Sequence, residues 1–166
     1  MVYAGAEKVK GHVPTLPGIR SALAAREPGP IRPFSPGRGH AAVALALAGP
    51  DDALSLCFLR RAVRGADRWS GQVAFPGGGS ESGDASALAA AIRETREEVG
   101  LSLSGRECLG ALPDVLVRGE PPVAISPYVF HAGDPPPPLG TSAEAPAAFW
   151  VPLAHLWSPE NRATLD

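Results

Sequence analysis

Glu94, Glu97 and Glu98 stand at i, i+3 and i+4, so on a helix their three carboxylates share one face. Each like-charged pair there costs roughly a few tenths of a kcal/mol, and something must offset the repulsion. Arg93 precedes Glu97 by four residues and offsets part of it. A hard divalent cation, Mg2+ or Mn2+, offsets more, because it takes carboxylate oxygens and keeps waters for a phosphate ligand. Such a face suits chemistry on a pyrophosphate linkage. Bare carboxylates repel that anion, whereas a bound metal reverses the local sign, clamps phosphate oxygens and acidifies a water. A further carboxylate then accepts the proton of the attacking water. The glycine run Gly77–Gly79 ahead of the glutamates lets backbone come close to a ligand or metal. Gly77 and Gly78 are therefore candidates to bind substrate.

These residues need a helix and a sheet to hold them. Leu88, Ile92, Thr95 and Val99 recur at steps of four, three and four, which predicts a helix over 86–99. Asp84 or Ser86 can cap its start, with Asp84 read as a cap before a ligand. Gly100 sits where a left-handed C-terminal cap belongs. Continuous apolar runs at 41–48 and 54–59 read as strands buried on both faces, joined by a hairpin at 49–52. Residues 72–75 read as a third strand stopped by Pro76 and the glycines. Further strands are expected near 108–112, 123–130 and 147–151, and a short helical turn at 153–157. Pro17 opens and Pro28 closes a minor helix around Ile19 and Leu23. Pro28 to Pro36 forbids regular structure, residues 1–13 read as a loose terminus, and 135–138 as an exposed loop. The order predicts a single mixed α/β domain over 1–166 with no internal repeat.

Composition removes other classes. The chain has 166 residues and a formal charge of −2, from 15 Lys and Arg against 17 Asp and Glu. That balance argues against bulk attraction to nucleic acid or to anionic membrane. No apolar run approaches the 18 or so residues of a membrane span, and the first ten residues carry charge where a signal peptide needs an apolar run. A cytoplasmic location is the expectation. Two cysteines, Cys57 and Cys108, are too few for a disulfide scaffold and read as small core residues. The four histidines are scattered, which speaks against zinc. No G-x-S-x-G and no P-loop is present.

The stretch Arg93-Glu94-Thr95-Arg96-Glu97-Glu98-Val99-Gly100-Leu101 resembles the second half of the Nudix hydrolase signature, G-x5-E-x7-R-E-U-x-E-E-x-G-U, with Thr95 in a bulky apolar slot. Counting back from Arg93, the first glutamate slot falls on Ala85, with Asp84 one residue upstream. That extra residue resembles the branch containing coenzyme A pyrophosphatases. The preceding strand there reads G-Q-V-A-F-P-G-G, which residues 71–78 match at every letter. Phe149-Trp150-Val151-Pro152-Leu153 is similar to a late aromatic-Val-Pro-Leu strand of many members.

The resemblance implies an α/β/α sandwich around a mixed sheet. It also implies hydrolysis of a small nucleoside diphosphate linked to another moiety, coenzyme A or a related dinucleotide among them. By carry-over, Glu94, Glu97 and Glu98 hold the metal, Glu94 and Glu97 are catalytic, Glu94 is either ligand or base, and Arg93 orients them. Asp84 is the replacement for the missing first glutamate. The branch's upstream R-S-x-x-L-R-x-H-x-G pattern is absent, with Trp69 in the histidine slot and Arg61, Arg64 and Arg68 out of register. Trp69 reads as a packing residue, with stacking on a base as the alternative. Arg68 is the candidate phosphate contact beside Arg64, both against a plain surface charge. Glu144 is a late-loop candidate base and Glu120 its rival, each against a solvated loop charge. The alternative to an enzyme is a degenerate Nudix-fold module that binds nucleotide without cleaving it, motivated by Ala85. Relatives commonly continue into another strand and helix after the position of Asp166, so an under-covered sheet face and a homodimer are expected.

Overall fold

The computed structural model describes residues 12–26, 34, 39–65, 69–118 and 122–161. The first eleven residues, most of the proline-rich stretch before the first strand, Arg68, Glu120 and Asp166 lie outside them.

The apolar runs become a mixed sheet. Helix α1 (Leu16–Ala24) starts at Thr15, whose hydroxyl accepts from the Gly18 N–H, with a proline in its first turn. Strands β1 (His40–Ala48) and β2 (Ser55–Arg60) follow, then the short β3 (Val73–Ala74) and β4 (Gly77–Gly79). Helix α2 (Ala87–Val99) leads to β5 (Cys108–Ala111), β6 (Val115–Val117), β7 (Val123–His131), β8 (Ala147–Pro152) and α3 (Leu153–Trp157). The sheet runs β3-β2-β1-β7-β5, with β4 also on β1, β6 on β7 and β8 on β2. The long β1–β7 pair is parallel, and the others are antiparallel.

One feature of this topology makes the site. The hairpin between β1 and β2 pairs at only two positions, Leu47 with Leu56 and Ala48 with Ser55. Towards its start, β1 pairs with the glycines instead, Ala41 with Gly79 and Val43 with Gly77. The two strands diverge, and the glycine run enters the gap. The expectation that these glycines only end a strand is corrected: they are one. Gly77 fits because its φ is +148° and a Cβ there would lie 2.6 Å from the Val43 Cα.

Helices cover both faces. Ala42 of β1 packs with Ala87, Ala90 and Ala91 of α2, all nearly solvent-free. Small residues at this contact let the helix lie close to the sheet. The stripe predicted from Leu88, Ile92, Thr95 and Val99 is thus widened by alanines, with Leu88 and Ile92 only partly buried. On the opposite face Leu16 of α1 and Leu153 of α3 pack with Leu47, Leu56 and Val129. This is the α/β sandwich expected. Cys57 is buried in the core, where desolvation pushes its thiol up to about 12. No helix among the described residues is long and apolar enough to cross a membrane.

Candidate active site

Helix α2 carries the three glutamates past the gap between β1 and β2. Its start is fixed by Ser86, whose side chain accepts from the Ala89 N–H, and its end by Gly100 in the left-handed conformation. Asp84 is therefore not the cap. It accepts from Arg93 Nε at 3.1 Å and from Arg93 Nη2 at 3.0 Å, and its Oδ2 also takes the Glu81 N–H at 2.7 Å. The guanidinium beside it holds the Asp84 carboxyl below the usual carboxylate range. This is the fork-to-fork geometry that makes arginine–carboxylate pairs strong.

The rest of Arg93 serves the glutamates. Its Nη1 donates to Glu94 at 2.9 Å and to Glu97 at 3.1 Å, and its Nη2 to the Gly79 carbonyl at 3.0 Å. The predicted i to i+4 contact with Glu97 is present. Glu94 lies against Gly78, where a Cβ would fall 2.6 Å from the carboxyl carbon. Burial, opposed by Arg93, raises the Glu94 pKa. Glu98 turns furthest inward: its Oε2 accepts the Gly77 N–H at 2.8 Å, and its residue is 7% exposed. Burial pushes its carboxyl up to about 7, with the Gly77 hydrogen bond opposing and the Glu94 charge adding to the rise. Glu97 is the most exposed of the three, with 59% of its side chain open to solvent.

Glu98 opens into a cleft of about 360 Å³. Gly77 and Gly78 line it as well, although the Gly77 N–H is already engaged by Glu98. Trp69 stands in the wall of the cleft and is 45% exposed. Arg61 lines the same cleft and a small neighbouring depression that holds Arg64 and Glu144. Arg64 and Glu144 form an exposed ion pair at 3.1 Å. Glu144 touches none of the helix glutamates, but its charge contributes to raising Glu98. Arg61 is the residue that sequence reasoning left as merely out of register. Its closeness to β3, through Arg61 N–H to the Gln72 carbonyl at 2.9 Å, is what carries it to the cleft.

Among the described residues no three ligating side chains converge on one point. Glu94 and Glu97 lean to Arg93, and Glu98 to Gly77. The donor set nevertheless fits a hard divalent cation. It is all oxygen, its members are near neighbours on one helix face, and its innermost carboxyl, Glu98, is buried, so that added positive charge favours its ionised form.

Residues 38–166 match the sequence model of the NUDIX domain. The chain is 46% identical over 86 residues to the uncharacterized Nudix hydrolase NudL of Escherichia coli K12, covering 51% of this chain and 43% of that one. It is 36% identical over 114 residues to the uncharacterized protein C14C4.10c of Schizosaccharomyces pombe, covering 65% and 35%. The chain thus spans less than half the length of these curated relatives. In structure it is similar to an Ap4A hydrolase binary complex from C. elegans, with a TM-score of 0.55 and 16% identity over 71% of this chain and 82% of that one. It is also similar to the NUDIX domain of Shewanella oneidensis NrtR complexed with ADP ribose, with a TM-score of 0.54 and 17% identity over 82% and 84%. At these identities the structural likeness is one of fold.

Proposed function

The chain belongs to the Nudix family, and we propose that it hydrolyses the pyrophosphate bond of a nucleoside diphosphate joined to a second moiety, as a divalent-cation-dependent enzyme of the coenzyme A pyrophosphatase-like branch. The observation that supports this best is the placing of Glu94, Glu97 and Glu98 on one face of α2 with Glu98 opening into the cleft. Glu97 and Glu98 would hold Mg2+ or Mn2+, and Glu94 stands beside them as the base. When bound, the metal supplies charge neutralisation on the phosphate oxygens and a more acidic water.

The protein's own groups do the rest. Arg93 keeps Glu94 and Glu97 aligned through one nitrogen while Asp84 and the Gly79 carbonyl fix its other side. Glu94, made more basic by burial, takes the proton of the attacking water. The water oxygen forms a bond to one phosphorus, the bridging P–O bond breaks, and two phosphate-bearing products leave. The binding-module alternative rested on Ala85 in the first acidic slot. Asp84 supplies a carboxylate to Arg93 from one residue upstream, so that motive is weakened.

The test is product release from coenzyme A, ADP-ribose, NADH, dinucleoside polyphosphates and nucleoside triphosphates, with and without Mg2+. Metal-dependent cleavage abolished in Glu97→Gln and Glu98→Gln is the expected result. A folded protein that binds one of these ligands and cleaves none would establish the binding module instead.

A further inference from the structure

The cleft is electrically lopsided. Of its described lining residues only Arg61 and Glu98 carry charge. The two lie close enough for the Arg61 charge to act on the Glu98 carboxyl. Beyond them the wall is largely aliphatic, with Val43, Leu59, Val117, Val123 and Ile125, and Gln72 supplies a side-chain amide. An ionised group pushed among those aliphatic side chains would lose water and find no counter-charge among the described lining residues beyond Arg61, a costly arrangement. An anion beside Arg61 meets a guanidinium with several donors in a fixed plane, well matched to phosphate. The volume, about 360 Å³, lies within the range of small-molecule sites.

We propose that Arg61 binds the substrate phosphate nearest the cleft and that the moiety beyond it, held by the cleft, is uncharged. This deepens the hydrolase reading and rests on it for the identity of the ligand. It assigns a specificity role to an arginine outside the slots of the branch's upstream pattern. A planar ring and a hydrocarbon chain share the required chemistry. Substrates carrying a further phosphate or carboxylate on that side are disfavoured.

The experiment uses the full chain with Arg61→Gln and Arg61→Lys, checked by thermal melting. Adenosine 5′-monophosphate is titrated calorimetrically without metal, so that binding is read apart from turnover. Kinetics with Mg2+ then compare ADP esterified to a phenyl ring, to an alkyl chain, and to the same chain ending in a carboxylate. Arg61→Gln is expected to weaken the monophosphate at least tenfold and to raise KM at least tenfold with kcat within threefold, since charge-assisted hydrogen bonds carry effects of that size. Arg61→Lys should recover part of both, and the carboxylate-ended chain should show at least tenfold lower kcat/KM than its neutral counterpart. The ring-against-chain preference then identifies which uncharged group the cleft takes. Unchanged monophosphate affinity and KM in Arg61→Gln would overturn the proposal, as would a loss confined to kcat, the mark of a residue that only neutralises Glu98. No turnover of any ester, with monophosphate binding still lost in Arg61→Gln, would overturn the hydrolase reading and uphold the role of Arg61.

Discussion

Asp84 grips Arg93 through both carboxylate oxygens, at 3.1 and 3.0 Å, from a position nine residues earlier in the chain. The pair is shielded, with 6% of the Asp84 side chain and 23% of the Arg93 side chain exposed. Arg93 in turn touches Glu94 and Glu97. On the proposed hydrolysis, Asp84 would thus act as a positioning residue, through Arg93, for the glutamates. Replacing it by alanine should cost about 1.5–3 kcal/mol of stability, the usual range for hydrogen bonds to charged groups. It should also lower kcat at least tenfold while leaving KM within threefold. Asp84→Asn, which keeps one acceptor oxygen, should fall between. Denaturant unfolding and steady-state kinetics on the three proteins check this, and an unchanged kcat in Asp84→Ala would contradict it.

The buried position of Glu98 gives the metal-free protein an inverted pH response. Its carboxyl titrates near 4.5 when unfolded and at about 7 when folded. Between those values the native state holds more protons than the unfolded chain, so unfolding free energy falls as pH rises. The raised Glu94 acts in the same sense. The Asp84 contribution has the opposite sign but is complete above about pH 4, because its pKa is lowered, and it drops out of this window. Melting in EDTA should therefore show Tm declining from pH 5 to pH 7 and levelling above. Excess Mg2+ at pH 7.5 should recover the loss by binding the ionised native form. A Tm that rises over pH 5–7 without metal would contradict this account.

Much of this was legible in the residues, and what was missed has physical causes. The period of α2 and its Gly100 stop were plain because helix signals are local, while the cap was open between Asp84 and Ser86. The strands of β1, β2 and β7 were plain because they are long and apolar. Strand β4 was not, since glycine has no strand preference and Gly77–Gly79 pairs only because β2 leaves β1 there. Strand β6 is three residues long and half-exposed, too short for any periodicity. Asp84 was misjudged because a cap and an arginine partner occupy the same stretch before a helix. Arg61 was misjudged because a linear register compares slots, whereas its place in the cleft depends on where β2 ends against β3.

Thr95 occupies a slot where the family pattern asks for a bulky apolar residue, and it is fully buried. Its hydroxyl donates to the Ala91 carbonyl at 2.7 Å, which satisfies it within its own helix. That carbonyl is already an acceptor in the helical ladder, so losing the hydroxyl orphans nothing. Valine has the same shape and no polar group to bury. Thr95→Val should therefore shift stability by no more than about 1 kcal/mol, in the stabilising direction, because back-bonding hydroxyls slightly weaken helices. A loss of more than about 2 kcal/mol in denaturant unfolding would show that the hydroxyl has a partner beyond Ala91.

Gly77 and Gly78 are adjacent and chemically identical, yet alanine should separate them. At Gly77 the added methyl meets the Val43 Cα at 2.6 Å in a backbone with φ of +148°, so it strikes main chain that cannot yield. Pairing of β4 with β1 should fail, and Gly77→Ala should lose several degrees of Tm. At Gly78 the methyl instead meets the Glu94 carboxylate, 2.6–2.8 Å away, at the end of a flexible side chain and not main chain. The fold can absorb that movement, but Glu94 can no longer stay where Arg93 holds it. Gly78→Ala should melt within a few degrees of the parent and lose kcat at least tenfold. Paired melting and kinetic measurements on the two variants would distinguish a glycine kept for the sheet from one kept for the carboxylate. Equal loss of Tm in both would refute the distinction.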